Sequence, residues 1–263
     1  MQLTISLAQI DIALGDPDAN VAKADEWTAE AKRRGSDIVV FPELWTTGCD
    51  WPNIASLAVR QEDVVTAVAN LAQKHRIWIN GSMLTLDEQN RPTNTSIMFD
   101  PDGQQAGTYR KIHLFGLMDE DQYLAPGQQL TTVESPWGQS GLAICYDLRF
   151  AEMFRTYALN GVTMVYLPAE WPHPRLAHWQ TLLRARAIEN QMYMVGVNRV
   201  GHDEANTFFG HSAIIDPWGN AVVEAGESEI LLTATINTDL VAEIRQKIPV
   251  FKDRRPDLYR LGQ

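Results

Sequence analysis

Glu43, Lys111 and Cys145 are the side chains of this sequence whose types complement one another chemically. Each stands at the end of an apolar run or just beyond it, in VVFPELWTTG, YRKIHLFG and LAICYDLRF. Such positions are where a chain leaves a sheet and a pocket can form. A carboxylate beside a thiol can take its proton. An ammonium nearby favours the thiolate and can receive the oxyanion that develops on an attacked carbonyl. Together the three suffice for acyl transfer through a thioester. Taken singly, each has an ordinary explanation: a Glu after Phe-Pro is commonly a surface residue, a Lys after Arg a solvated one, and a buried Cys inert packing. Their order and flanks together carry the reading.

The elements that must position them follow from periodicity. LTISLAQI alternates as a strand, and residues 18–34 read as a helix with Asp18 as cap, Val21, Ala24, Trp27 and Ala31 at helical spacing, and Gly35 as the stop. DIVVFPEL reads as a buried strand, 63–75 as a second amphipathic helix, and IWINGSML as another strand. NTSIMFD, a turn at 100–103 and TYRKIHLF then replace strand–helix by strand–turn–strand. GLAICYDLRF is the most apolar short strand, followed by a helix over 151–160, the strand VTMVYLPA, a helix over 175–190 and the strand MYMVGVNRV. HSAIIDPWGNAVVEAG reads as a hairpin, ILLTATIN closes the sheet material, and a last helix spans 240–247. Helices alternating with buried strands in two blocks imply mixed sheets covered by helices.

Composition bounds the rest. A chain of 263 residues suits one domain, 1–263. The formal charge of −11, with no long basic run, disfavours nucleic acid and anionic membrane and leaves a small-molecule partner. MQLTISLAQI has neither the basic stretch nor the long apolar core of a signal peptide, and no apolar run is long enough to cross a bilayer, so a cytoplasmic location is expected. Cys49 and Cys145 lie far apart with no metal-like cluster, and the sequence predicts free thiols. His173, His178, His202 and His211 have no recognised zinc spacing.

At FPEL, YRKIHLF, GLAICYDLRF, RARAIENQMYMVGVNR and HSAIIDPWGN the sequence resembles the nitrilase superfamily, whose members carry a Glu, a Lys and a Cys in this chain order. The resemblance runs over nearly the whole length. It implies an α/β fold, a four-layer αββα sandwich with two mixed β-sheets, hydrolysing non-peptide C–N bonds without metal or organic cofactor. It also implies a homodimer or larger assembly built by the helices after the Cys segment. Glu43 is then the general base, Cys145 the nucleophile, and Lys111 with the backbone N–H of Tyr146 the oxyanion support. Members commonly use a second Glu downstream of the Lys. Glu120 in LFGLMDEDQYLAPG is the candidate, with Asp119 and Asp121 as competing neighbours and a solvated acidic loop as the plain alternative.

Within that superfamily the chain is similar to the omega-amidases, which cleave the terminal amide of 2-oxoglutaramate and related 2-oxo acid amides. CYDLRF, PAEWPHPRLAHW, RARAIENQMYMVGVNRVG and IPVFKDRRPDLY carry that likeness. One position departs: Glu170 stands where many relatives have Asn before Trp-Pro, and an acid there repels a substrate carboxylate unless it is paired or turned away. An anionic substrate needs a further cation, for which Arg149 and Arg175 are the candidates. Arg149 has an ordinary alternative in an ion pair with Asp147 or Glu152. Trp171 is expected to line the pocket, and Cys49 to be a bystander thiol near the Glu43 loop. The competing readings are an N-carbamoyl amine or amino acid hydrolase with the same triad, a non-catalytic interaction module on the same scaffold, and a thiol redox protein, which lacks a nearby resolving Cys.

Overall fold

Three consecutive apolar residues, Ile38, Val39 and Val40, form a strand with no exposed face. A strand buried on both sides needs cover on both sides, and the architecture supplies it. In the computed structural model, which describes residues 1–259, the chain begins β1 (Gln2–Gln9), α1 (Pro17–Arg33), β2 (Ile38–Val40), α2 (Ile54–Val59) and α3 (Gln61–His75). It continues with β3 (Trp78–Leu86), β4 (Pro92–Phe99), β5 (Gln105–Arg110) and the short α4 (Glu120–Tyr123). The second block is β6 (Thr132–Ser135), β7 (Gly138–Leu142), α5 (Ala151–Leu159), β8 (Met164–Ala169), α6 (Leu176–Asn190) and β9 (Tyr193–Asn198). Then come β10 (Val200–His202), β11 (Thr207–Phe209), β12 (Ala213–Ile215), β13 (Ala221–Glu224), β14 (Ile230–Asn237) and α7 (Leu240–Lys247).

Two six-stranded sheets result, ordered β14-β1-β2-β3-β4-β5 and β13-β12-β9-β8-β7-β6. Each has a parallel centre, β1-β2-β3 in one and β7-β8-β9 in the other, with antiparallel margins. They are mixed sheets, as the alternation of helices and hairpins predicts. The period of two along β2 sorts the layers: Ile38 and Val40 join the apolar cluster that continues into the second sheet. Val39 joins Ala24, Ala31, Val68 and Leu71 of α1 and α3 on the other face. Helices α5 and α6 close the second sheet, with Phe154, Tyr157, Leu183 and Ala187 buried against it. The order helix, sheet, sheet, helix is the expected αββα sandwich.

Differences from the sequence reading are local and have local causes. Helix α1 is capped by Asp16, whose Oδ1 accepts the Ala19 N–H at 3.0 Å, rather than by Asp18. Pro17 with its fixed φ takes the first helical position, and the cap falls on Asp16, two residues upstream of the expected one. The strand expected through Leu44 ends at Val40, since Pro42 has no N–H for the ladder. The strand expected through Phe150 ends at Leu142, and Cys145–Arg149 form a 3-10 turn. The β10–β11 ribbon and helix α2 went unread because both are short and weakly periodic. Among the described residues no helix is long and apolar enough to cross a membrane.

Candidate active site

The shortened strands bring the reactive side chains together. Glu43 lies in the turn after β2, Lys111 directly after β5, Cys145 after β7 and Glu170 directly after β8. Glu43 and Lys111 thus come from one sheet and Cys145 and Glu170 from the other, a meeting point just beyond strand ends. Local backbone strain accompanies two of them: Cys145 has φ 44° and Leu44, beside Glu43, φ 40°. A non-glycine residue held there costs about 1–3 kcal/mol and persists only where its surroundings over-determine it. At Cys145 they do. Leu142, Ala143 and Ile144 ahead of it are fully buried, and burying one Leu or Ile contributes roughly 1.5–3 kcal/mol, enough to offset the strain.

Asp147 fixes the same turn. Its Oδ2 accepts the Ile144 N–H and the Tyr109 hydroxyl, both at 2.8 Å, while Oδ1 lies 2.7 Å from His113 Nδ1. The Ile144 N–H is thereby withdrawn from the ladder just before Cys145. The Tyr146 N–H belongs to the first turn of the 3-10 segment, where amide donors have no partner within the helix and can serve a ligand oxygen.

Lys111 is sealed between two acids. Its Nζ donates to Glu43 Oε1 and to Glu120 Oε1, each at 2.6 Å, and none of the three side chains is more than 3% exposed. Glu43 Oε1 also accepts Asn94 Nδ2 at 2.8 Å, and its Oε2 accepts the Glu170 backbone N–H at 2.8 Å. Glu120 Oε2 accepts the Phe115 N–H at 2.9 Å. Asp119, with φ 59°, turns the chain so that Glu120 points inward, whereas Asp119 and Asp121 are exposed. Two carboxylates sharing one ammonium leave one net negative charge in a dry place. Burial, reinforced by Glu43, therefore pushes Glu120 up to about 7 against the pull of Lys111. Burial alone lowers the Lys111 ammonium, but the Glu120 and Glu43 charges outweigh it and hold its pKa well above the usual lysine range. The Cys145 thiol is pushed well up by burial and by Glu43, against the opposing pull of Lys111. A thiol so placed needs a base before it can act as a nucleophile, and Glu43 is the carboxylate that bears on it most strongly.

Cys145 opens into a small cleft lined by Phe115, Tyr146, Arg149, Glu170, Trp171 and Arg175 among others. A larger groove of about 580 Å³, along Asp87, Glu88, Arg91 and Arg110, has no cysteine in its lining. Arg149 does not pair with Asp147 or Glu152. Its guanidinium lies 4.7 Å from the Trp171 ring centroid and touches His178 Nδ1 at 3.3 Å. Arg175 lies 5.4 Å from the Phe115 ring and donates to the His173 carbonyl at 3.3 Å. Among the described residues neither arginine makes an ion pair with a carboxylate. Glu170 is paired: Arg199 Nη1 donates to its Oε2 at 3.0 Å, with both side chains 1% exposed. Burial pushes Glu170 up to about 7, opposed by Arg199. Cys49 is a half-buried free thiol 3.7 Å from Glu170 Oε2, and burial followed by the Glu170 charge pushes it well above the usual thiol range.

The sequence-predicted residues converge, with Trp171 buried both as packing and as a wall of the cleft. Asn94, Asp147, Tyr109 and Arg199 were missed. Asn94 sits in the polar first half of β4, between Thr93 and Thr95, and Arg199 follows a buried strand with nothing nearby in sequence to mark it. Asp147 had one signal, its place two residues after Cys145. Among the described residues no group of three or more His, Cys, Asp or Glu side chains is arranged to hold a metal ion.

A sequence model of the family described as carbon-nitrogen hydrolase matches residues 4–246. The chain is 43% identical over 262 residues to a 2-oxoglutaramate amidase of Bacillus subtilis, covering 98% of this chain and 100% of that one. It is 33% identical over 265 residues to the human omega-amidase NIT2, covering 97% and 96% of the two chains. Among solved structures, XC1258 of Xanthomonas campestris, a CN-hydrolase superfamily protein with an arsenic adduct in its active site, superposes with a TM-score of 0.91 at 32% identity, covering 100% of both chains.

Proposed function

This chain belongs to the carbon-nitrogen hydrolase family, and from there we propose that it is an omega-amidase, hydrolysing the terminal carboxamide of a 2-oxo acid such as 2-oxoglutaramate to the acid and ammonia. The observation that carries the substrate class is the pair of arginines, Arg149 and Arg175, at the Cys145 cleft without carboxylate partners. In a chain with 33 acidic against 22 basic residues, cations left free beside a nucleophile call for an anionic ligand. A guanidinium suits a carboxylate through a bidentate fork. Glu170 does not oppose this, because Arg199 balances its charge. The likeness to a 2-oxoglutaramate amidase and to omega-amidases supports the same class.

In this mechanism Glu43 accepts the thiol proton as Cys145 Sγ bonds to the carboxamide carbon, and the carbonyl π pair moves to oxygen. Lys111 Nζ and the Tyr146 N–H hold that oxyanion. Glu120 fixes Lys111 from the far side. Collapse expels the nitrogen, which leaves as ammonia with the proton held on Glu43, and a thioester remains. Glu43 then takes a proton from water, whose oxygen attacks the thioester. The acid departs and the thiol is restored, so one water is consumed for each amide cleaved.

The test is ammonia release from 2-oxoglutaramate, succinamate, glutamine, asparagine and carbamoylputrescine by the purified protein and by Cys145→Ala. Preference for the first two, lost in the variant, is the expected result. Turnover surviving in the variant removes Cys145, and preference for the carbamoyl compound with release of carbon dioxide replaces the omega-amidase assignment. The same reading includes a cytoplasmic homodimer. Ile188 of α6, exposed and packed against Gly219 next to the exposed Trp218 in the chain, supports an interface on the outer face of the second sheet's helices, and sedimentation of wild type against Ile188→Glu tests it.

A further inference from the structure

Residue 170 meets the reaction centre twice, and the mechanism above uses neither contact. Its backbone N–H donates to Glu43 Oε2 at 2.8 Å, which places the residue against the general base. The residue lines the same cleft as Cys145. One carboxylate oxygen, Oε2, is held by Arg199 at 3.0 Å and faces the Cys49 thiol at 3.7 Å. The other, Oε1, is fully buried and makes no hydrogen bond with any described residue. A buried carboxylate oxygen left unpaired costs more than the same atom in water, so such an atom in a binding cleft marks where a ligand's donor goes. Asn94 Oδ1 is also unpaired, but Asn94 does not line the cleft.

The donor on the ligand follows from chemistry, given the amidase reading above. A 2-oxo acid amide carries a carboxylate, a ketone and a carboxamide. Only the carboxamide has N–H groups. The Arg199 pair keeps the Glu170 headgroup in place, and its contact with Glu43 sets it at the reacting end of the substrate rather than the carboxylate end. The geometry points to Glu170 as a specificity residue that accepts a hydrogen bond from the scissile carboxamide N–H through Oε1, selecting amides over oxygen-leaving acyl compounds. An ester of the same acid offers no N–H and sets an oxygen lone pair against that carboxylate. Arg199, Glu43, Cys49 and Asp203 act on Glu170, and Cys145, Arg149 and Arg175 line the same cleft; Arg199 is the cation paired with it.

The experiment compares kcat/KM on a carboxamide with kcat/KM on the methyl ester of the same acid, in wild type and in Glu170→Asp. The aspartate keeps a negative charge for Arg199 while withdrawing the free oxygen by one methylene. The ratio of amide to ester is expected to fall about ten- to a hundredfold, the usual loss for a hydrogen bond to a charged group. A ratio that stays at the wild-type value overturns the assignment, whether both rates fall together or neither moves, and leaves Glu170 as a partner of Arg199 alone. A second measurement needs no turnover: in a Cys145→Ala background, calorimetry compares the carboxamide with the methyl ketone of the same chain. The amide's advantage in Kd should vanish on adding Glu170→Asp, and its persistence refutes the contact. The carboxamide used is whichever one the wild type hydrolyses, so a wrong acyl chain in the proposed function changes the compound and leaves the ratio readable.

Discussion

Lys111 and Arg199 are sealed among carboxylates, whereas Arg149 and Arg175 stand half-buried on aromatic rings and make no ion pair with a carboxylate among the described residues. The same chain thus uses cations in two ways within one site. The sealed pair are structural and electrostatic parts of the protein: removing either leaves a buried acid uncompensated, the costly half of a buried ion pair. The rim pair are satisfied by ring faces and carbonyl or imidazole contacts, which a ligand can improve upon. In a strongly acidic protein that contrast separates cations already held by carboxylates from cations that, in the proposed function, meet the substrate.

The sharpest way to undo the contrast is Lys111→Met. It should cost about 3–5 kcal/mol of stability, because Glu43 and Glu120 then face each other buried and unpaired, and it should lower kcat at least about a hundredfold through the lost oxyanion support. Urea unfolding and steady-state kinetics measure the two effects, and a stable, active variant would show that the acids find another partner. Arg149→Gln and Arg175→Gln come next. Each should raise KM for a carboxylated amide about tenfold or more with kcat largely retained, and should leave an uncharged amide of equal length little affected. Equal losses on both amides would make these arginines scaffolding after all.

A gentler effect is the pH dependence of stability. Glu120 and Glu170 are each pushed up to about 7 from an ordinary value of 4.5. Between those values the folded state binds more protons than the unfolded state. Stability contributed by these acids is therefore full below the lower value and is lost as pH rises through the upper one. Urea midpoints should fall from about pH 5 to about pH 8, and the fall should be shallower in Glu120→Gln. A midpoint that rises over this window contradicts the burial argument. The smallest effect is at the rim. Arg149→Gln should change stability by about 1 kcal/mol or less, the scale of one partly exposed cation over a ring, and calorimetric melting checks it.

Much of the architecture was legible from periodicity. Helix α7 and strand β14 were read at their observed bounds, and α6 and β8 differ from expectation by a residue or two, since each stretch of apolar residues is set off by polar or turn residues in its own sequence. The reading failed at Phe41–Leu44 and Ala143–Phe150, where apolar residues continue but the strand does not. Those are the segments that carry Glu43 and Cys145, and there a proline and the Asp147 carboxylate override the local pattern. Glu43, Lys111 and Cys145 could be picked from the string because their types and flanks are chemically complementary and the resemblance spans the chain. Glu120 could be named only with Asp119 and Asp121 as rivals.

The partner of each charged group was not legible, and the reason is physical. Composition, apolar period and residue type are properties of the chain's own order, so layers, strand count and a candidate nucleophile can be read along it. An ion pair is a property of distance in space. Glu170 meets Arg199 across 29 positions, Lys111 meets Glu43 across 68, and the Glu170 amide meets Glu43 across 127. Whether Glu170 repels a substrate carboxylate, and whether Arg149 is spent on a neighbour, depended on those contacts, because burial sets the strength of every charge in the site and burial exists only once the two sheets have closed on each other.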